Sequence, residues 1–164
     1  MQHDLRSNDD EGFIVFSILF STTVLANSNM PVGNFGWFGV GNATQISETK
    51  VYWTGEFSGT FFADGESHSL HSASVRCPAS MELDLANNAQ KAGGYCMFRD
   101  VNGNKASIEW AGSGVIGNMS GGWAWVSGDG PYAELVGQSG GQFRGITITN
   151  WEDGMATGVA YWNK

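Results

Sequence analysis

The chain has 164 residues, which is enough for one domain with a hydrophobic core of its own. Glycine is the most frequent residue at 24 positions, seven residues are tryptophan and only 15% are charged, a mixture typical of many short strands joined by glycine-containing turns. The net charge is −8 and lysine and arginine are nowhere clustered, which argues against a nucleic-acid-binding surface.

The N-terminus has the pattern of a signal peptide. Residues 13–26 form a predominantly apolar run without charges, which is shorter than the about 20 residues that a membrane-spanning helix needs. Val24 and Ala26 are small residues at the positions that a cut before Asn27 requires. The segment before this run is acidic where a signal peptide should be basic, so a buried strand over the run remains the alternative.

These features divide the chain into three parts. We expect residues 1–26 to be a signal peptide, residues 27–49 an N-terminal extension, and residues 50–164 the folded domain. The predicted location is extracytoplasmic, either periplasmic or secreted, and no segment is long enough to span a membrane as a helix.

Apolar and polar residues alternate with a period of two from residue 50 onward, which indicates strands. In residues 50–62, Val51, Trp53, Phe57 and Phe61 share one face of a half-buried strand. Helix signals are almost absent, and a strand explains residues 79–90 as well as a short turn does. We therefore predict an all-β fold, a single antiparallel eight-stranded barrel in preference to a sandwich, because closure removes exposed strand edges. Further strands are expected over 68–76, 95–100, 105–110, 123–126, 142–149 and 155–162, the last two joined by a turn at 152–154.

Asn102 and Gly103 lie between two of these predicted strands. Asparagine and glycine tolerate a positive φ best, and a two-residue type I′ turn needs a positive φ at both central positions. The pair therefore predicts a tight hairpin of this turn type.

The chain contains two cysteines, Cys77 and Cys96. They are either a disulfide, which persists only in an oxidising compartment, or two buried thiols. Together with the predicted signal peptide, the disulfide is the favoured interpretation.

Several segments resemble small exported bacterial proteins of uncharacterised function that are related to the allene oxide cyclase and dirigent barrels, which are lipocalin-like in outline. The resemblance implies a closed eight-stranded barrel, is compatible with a homo-oligomer, and raises a cyclase or isomerase activity as an alternative. Asn102 and Asn104 replace acids of the family pattern, and Glu134 stands where a glycine is expected, so no catalytic residue is carried over. The segments that carry the resemblance are 51–62, 77–78, 94–105, 128–133 and 141–145.

Aromatic side chains are the main candidates for a binding site. A small barrel either fills its interior with side chains or holds one small ligand, and aromatic walls with a few polar groups are typical of a ligand pocket. We therefore expect an exported protein that binds a small apolar or aromatic molecule, with the cyclase or isomerase and a structural protein with a solid core as alternatives. The candidate walls are Trp53, Trp110, Trp123 and Trp125, and the candidate polar groups are Glu56, Tyr95, Glu109, Tyr132 and Arg144.

Other formal patterns are explained by turns, so neither a cofactor nor a metal is predicted. The nucleophile-elbow match at 137–141 and the dinucleotide match at 112–117 have no following helix. Residues 100–104 match a calcium loop only in part, because the glycine comes too early. His68 and His71 would point to opposite faces of one strand and cannot bind the same metal there.

Overall fold

The computed structural model describes residues 31–151 and 154–163, which form a closed antiparallel barrel of eight strands. Each strand pairs with its neighbours along the chain, and the first pairs with the eighth. The all-β fold and the single eight-stranded antiparallel barrel are thereby confirmed. The strands are β1 (Gly33–Ser47), β2 (Lys50–Ala63), β3 (Ala73–Asp84), β4 (Ala89–Arg99), β5 (Lys105–Val115), β6 (Asn118–Gly128), β7 (Gln142–Asn150) and β8 (Met155–Asn163), with a short 3₁₀ helix (Gly130–Leu135) between β6 and β7.

Alternation along each strand directs one set of side chains into the barrel. On β2, Phe61 is fully buried whereas Phe62 is 50% exposed, and on β5 Ile108 is fully buried whereas Glu109 is exposed. Successive side chains of a strand point to opposite faces, so the odd positions of β2 and the even positions of β5 line the interior.

The barrel begins earlier than expected. Residues 33–47 of the predicted N-terminal extension form β1, which pairs with β2 on one side and with β8 on the other. The boundary expected at residue 50 is therefore corrected to Gly33. Glycines and a run of apolar residues on both faces, such as Phe35, Trp37 and Phe38, concealed the alternation there.

The strand expected over residues 68–76 is wrong in its first half. Residues 64–72 make successive turns, in which the His68 N–H donates to Gly65 O (2.9 Å) and the His71 N–H to His68 O (2.8 Å), and β3 begins only at Ala73. Leu70 in this segment is fully buried and covers one end of the barrel. The two histidines therefore lie in a loop, not on a strand.

The Asn-Gly hairpin is present, but its turn type differs from the prediction. Gly103 has a φ of +89°, whereas Asn102 is not among the residues with a positive φ. The Gly103 N–H donates to Asp100 O (3.1 Å), which matches a type I turn followed by a left-handed glycine. The Asp100 carboxylate accepts the N–H groups of Asn102 (2.9 Å) and Asn104 (2.8 Å), and these bonds stabilise the longer loop.

The predicted disulfide between Cys77 and Cys96 is confirmed. It joins β3 to β4, with the two Cα atoms 4.0 Å apart and both side chains at most 5% exposed. The bond therefore lies inside the barrel. A disulfide is compatible with the predicted extracytoplasmic location.

The predicted signal peptide, residues 1–26, lies outside the described residues, as do Glu152 and Asp153 of the turn expected before β8. Within the described residues, no helix has the length and apolar character needed to cross a membrane.

Candidate functional site

A cavity of about 80 Å³ lies inside the barrel. All eight strands contribute side chains to its wall, because every strand alternates inward and outward positions. Nearly half of the lining residues are aromatic, and most of the others are small or contain sulfur. The aromatic lining residues are Phe35, Trp37, Phe57, Trp110, Trp123, Phe143 and Trp162.

The two ends of the barrel are closed to different degrees. We call the end with the loops 64–72, 100–104 and 129–141 the closed end, and the opposite end, where four hairpins turn, the hairpin end. Inward side chains near the closed end are buried, and Phe61 and Ile108 are fully so. Several of those nearer the hairpin end are only partly buried, namely Trp37, Phe57, Met81 and Trp110. This difference indicates that the cavity is reached from the hairpin end.

Phe57 is central to the aromatic packing at the hairpin end. Trp53 stacks on it with ring centroids 5.0 Å apart, and Trp37 meets it edge-on at 5.0 Å. Gly41 and Gly55 make room for Trp53, since a Cβ at these positions would lie 2.3 and 2.4 Å from its ring. These glycines permit a large indole to lie flat against the barrel wall.

The cavity wall contains polar groups that have no partner. The indole Nε1 atoms of Trp110 and Trp123 are buried and have no hydrogen-bond acceptor among the described residues. Gln90 also lines the cavity, is only 7% exposed, and accepts the Gly117 N–H at Oε1 (3.3 Å). Thr147 adds a hydroxyl. The polar character of the wall is therefore dominated by donors.

Charge is missing from this wall. Among its described lining residues there is no Asp, Glu, His, Lys, Arg or Tyr, so no side chain there titrates in the usual pH range. Groups of three or more metal-binding side chains are likewise not found in residues 31–151 and 154–163.

A groove of about 510 Å³ lies at the hairpin end, between the β1–β2 and β3–β4 hairpins. Its wall includes the solvent-accessible ion pairs Lys50–Asp84 (3.3 Å) and Lys91–Glu82 (2.9 Å). Each pair joins one positive and one negative side chain, so the four residues carry no net charge. Gln90 lines both this groove and the internal cavity. The Gln90 side chain therefore borders both spaces.

The four predicted tryptophans all point into the barrel, but they do not share one position. Trp110 and Trp123 line the cavity, and Trp53 lies next to it against Phe57. Trp125 packs edge-on against Trp123 with ring centroids 5.2 Å apart and is not part of the cavity wall.

Most of the predicted polar groups lie on the outer face of the barrel. Tyr95 is 49% exposed, and Glu109 and Arg144 are also exposed. Glu56 forms a two-point ion pair with Arg76 (2.6 and 2.7 Å) across β2 and β3. The hydrogen bonds from Arg76, and to a smaller extent the one from Ser58, hold the pKa of the Glu56 carboxyl below its ordinary value.

Tyr132, the last predicted residue, belongs to the closed end. It is 1% exposed, and its hydroxyl donates to the Asp100 carboxylate (3.0 Å). Burial raises the pKa of Tyr132 to about 12, and the negative charge of Asp100 adds to the effect. Burial also acts to raise the pKa of Asp100, but hydrogen bonds from Asn104, Tyr132 and Asn102 outweigh it and keep that pKa low.

Several lining residues were missed by the sequence analysis, above all Gln90. A usable signal was present, because Cys96 and Gln90 are both at even positions of β4 and must share a face. Since a buried disulfide places Cys96 inside, Gln90 is inside as well and Tyr95 is outside. For Met119, Phe143 and Thr147, the sequence offers only an alternation whose face is ambiguous.

Comparisons of the chain with protein-family models, with curated proteins and with solved structures found no match. The class that the fold and the site define is a closed eight-stranded antiparallel β-barrel with an internal, aromatic-lined cavity.

Proposed function

We propose that this protein binds a small apolar molecule inside its barrel, in an extracytoplasmic compartment. The observation that carries this proposal is the aromatic-lined, uncharged cavity that faces the hairpin end. Ligand sites in proteins are typically concave and apolar with a few polar groups that orient the ligand, and this cavity has that composition.

A binding barrel is favoured over a solid one because packing is uneven along the axis. Phe61, Phe98 and Trp162 pack against one another near the closed end in edge-on or tilted orientations, with ring centroids 5.2 to 6.1 Å apart. Around Trp37, Phe57 and Trp110 the inward side chains remain partly exposed. A structural barrel has no need for an incompletely filled half, since each unfilled contact sacrifices dispersion energy.

Binding without catalysis is favoured by the chemistry of the wall. General acid–base catalysis requires a titratable group within hydrogen-bond reach of the reacting atoms. The polar candidates of the sequence analysis, including Glu56, Tyr95 and Arg144, lie on the outer face, and the described cavity residues contribute only amide, hydroxyl and indole groups. The cyclase or isomerase alternative lacks support from this geometry.

The size of the cavity limits what enters it. A cavity of about 150 Å³ is known to hold benzene, and this one is about 80 Å³. We therefore expect a slim chain or a small ring to occupy the cavity, with the remainder of the ligand in the groove at the hairpin end. Met81 and Met119 in the wall can adapt to the shape of the ligand, because unbranched thioether side chains repack easily.

An apolar fluorescent probe tests this proposal. We expect about one site per chain, quenching of tryptophan emission, and micromolar affinity, since each buried methylene contributes about 0.8 kcal/mol before association costs. Binding should persist at high salt because no ion pair contributes to it. A chain that shows no saturable binding of any apolar probe contradicts the proposal.

Two glycine-to-valine variants provide a matched comparison. Gly145 lines the cavity, and a Cβ there would meet only side-chain atoms of Met119 (3.5 Å) and Phe143 (3.8 Å), so Gly145→Val should fill the cavity and weaken probe binding at least tenfold. Gly122 lies outside the cavity wall, and a Cβ there would lie 3.5 Å from Gln142 Nε2. Gly122→Val should therefore leave binding unchanged. Circular dichroism verifies that both variants fold.

A further inference from the structure

We infer that the ligand carries a neutral hydrogen-bond acceptor, such as a ketone or ether oxygen, and that Trp110, Trp123 and Gln90 recognise this acceptor. The inference rests on the proposed function and deepens it by naming the chemical class of the ligand.

The indole groups supply the first observation. The Nε1–H of an indole only donates, and in Trp110 and Trp123 this group is buried without an acceptor among the described residues. Trp123 as a whole is only 5% exposed, so solvent hardly reaches it. Buried donors are normally paired. A buried donor without a partner destabilises the protein, and an acceptor on the ligand would remove this cost. Both tryptophans line the cavity, so the ligand is the group that can supply the acceptor.

Gln90 supplies the second observation. Its side chain is more than nine-tenths buried and lines both the cavity and the groove. Because Oε1 accepts the Gly117 N–H (3.3 Å), the opposite side of the amide presents the NH₂ group as a donor. An acceptor located where the ligand passes from the cavity into the groove can bind this group.

The absence of charged side chains from the cavity wall narrows the chemical class of the ligand further. A carboxylate would lose its hydration without meeting a cation, since no described lining residue is Lys, Arg or His. An ammonium group can be attracted by aromatic faces, but here it would also meet the positive ends of the indole and amide N–H groups and no carboxylate. A neutral acceptor satisfies the donors without the desolvation cost of an ion.

The test uses the full chain and four seven-carbon probes, namely heptane, 2-heptanone, heptanoate and heptylamine. In ¹H–¹⁵N spectra, 2-heptanone should shift the indole N–H signals of Trp110 and Trp123 downfield, whereas heptane should shift them little, because only the ketone accepts a hydrogen bond. Heptanoate and heptylammonium should bind at least tenfold more weakly than the ketone.

Phenylalanine substitutions measure the donor contribution while retaining an aromatic ring. Trp110→Phe and Trp123→Phe should each lower the ratio of 2-heptanone affinity to heptane affinity about three- to tenfold, the usual range for one hydrogen bond. Trp125→Phe is the matched control, because the Trp125 Nε1 is also buried without a partner but Trp125 does not line the cavity. It should alter neither affinity. Gln90→Met should lower the affinity for 2-heptanone relative to heptane in the same way as Trp110→Phe and Trp123→Phe.

The outcomes separate this inference from the proposed function. If neither heptane nor 2-heptanone binds, the proposed function fails. If both bind but the indole signals respond equally to them and the phenylalanine variants weaken both alike, the acceptor inference is overturned while binding stands. Tighter binding of heptanoate or heptylamine than of the ketone overturns the inference as well.

Discussion

The closed end and the hairpin end follow the same alternation of side chains, yet one is filled and the other is not. At the closed end, Leu70 and Tyr132 are almost fully buried and Asp100 is held by four hydrogen bonds. At the hairpin end, the aromatic side chains of Trp37 and Phe57 are partly exposed. This difference shows that the strands of the barrel do not by themselves determine how completely side chains fill its interior.

Loop length explains the difference. The strands at the hairpin end are joined by connections of two to four residues, whereas those at the closed end span 64–72, 100–104 and 129–141. A short hairpin is too short to place a side chain over the barrel opening, whereas a longer loop can fold back and cover that opening. Leu70 and Tyr132 come from these longer loops and cover the closed end.

The largest expected effect comes from truncating one phenylalanine at each end. Phe61 is fully buried against Phe98 and Trp162, so Phe61→Ala should lower the free energy of unfolding by about 3–5 kcal/mol. Phe57→Ala should cost about half as much, because Phe57 is only partly buried, and should admit bulkier probes. Urea unfolding and probe binding measure the two effects. Equal losses of stability would mean that the two ends are packed alike.

The disulfide should have the next largest effect. Cys77 and Cys96 are 19 positions apart and both line the cavity. Replacing both with alanine should lower the free energy of unfolding by about 2–4 kcal/mol, since an unfolded chain without the cross-link has more conformational entropy. The control is the unaltered protein under strong reductant, which should then unfold at the same urea concentration as the variant. Two titratable thiols in protein exported by its own cell would contradict the prediction.

The smallest of the three effects is an alkaline loss of stability that originates at the closed end. The pKa of Tyr132 is raised by folding to about 12 from an ordinary value near 10, so the native state keeps a proton that the unfolded state releases. Stability should therefore be unaffected by this group below pH 10 and fall by about 2–3 kcal/mol in total as the pH rises through 12.

Tyr132→Phe should abolish this component of the pH dependence while lowering stability at neutral pH, because Asp100 loses a hydrogen bond. Tyr161→Phe, at a 47% exposed position, is the control and should change neither quantity. If the alkaline slope is the same in Tyr132→Phe as in the unaltered chain, Tyr132 is not its source.

Much of the wall was predictable because strand alternation is a local property. The sequence grouped the odd positions of β2 on one face, and the structure shows that this face lines the interior. β1 was missed because Phe38 and Val40 are apolar yet point outward, which removed the contrast that alternation needs. Of the candidate site residues, Trp110 and Trp123 line the cavity, whereas Tyr95 and Arg144 do not.

By itself, the sequence indicated an all-β fold, with a barrel favoured over a sandwich and a disulfide favoured over two thiols, because period-two alternation, glycine-rich turns and two cysteines are each readable without knowledge of distant neighbours. Only the tertiary structure decided which face of each strand is inside, where the cavity lies, and that Gln90, Trp110 and Trp123 line the same cavity. The physical reason is that a shift of one residue in strand register reverses every side chain, and register is fixed by pairing between strands that the local sequence does not specify.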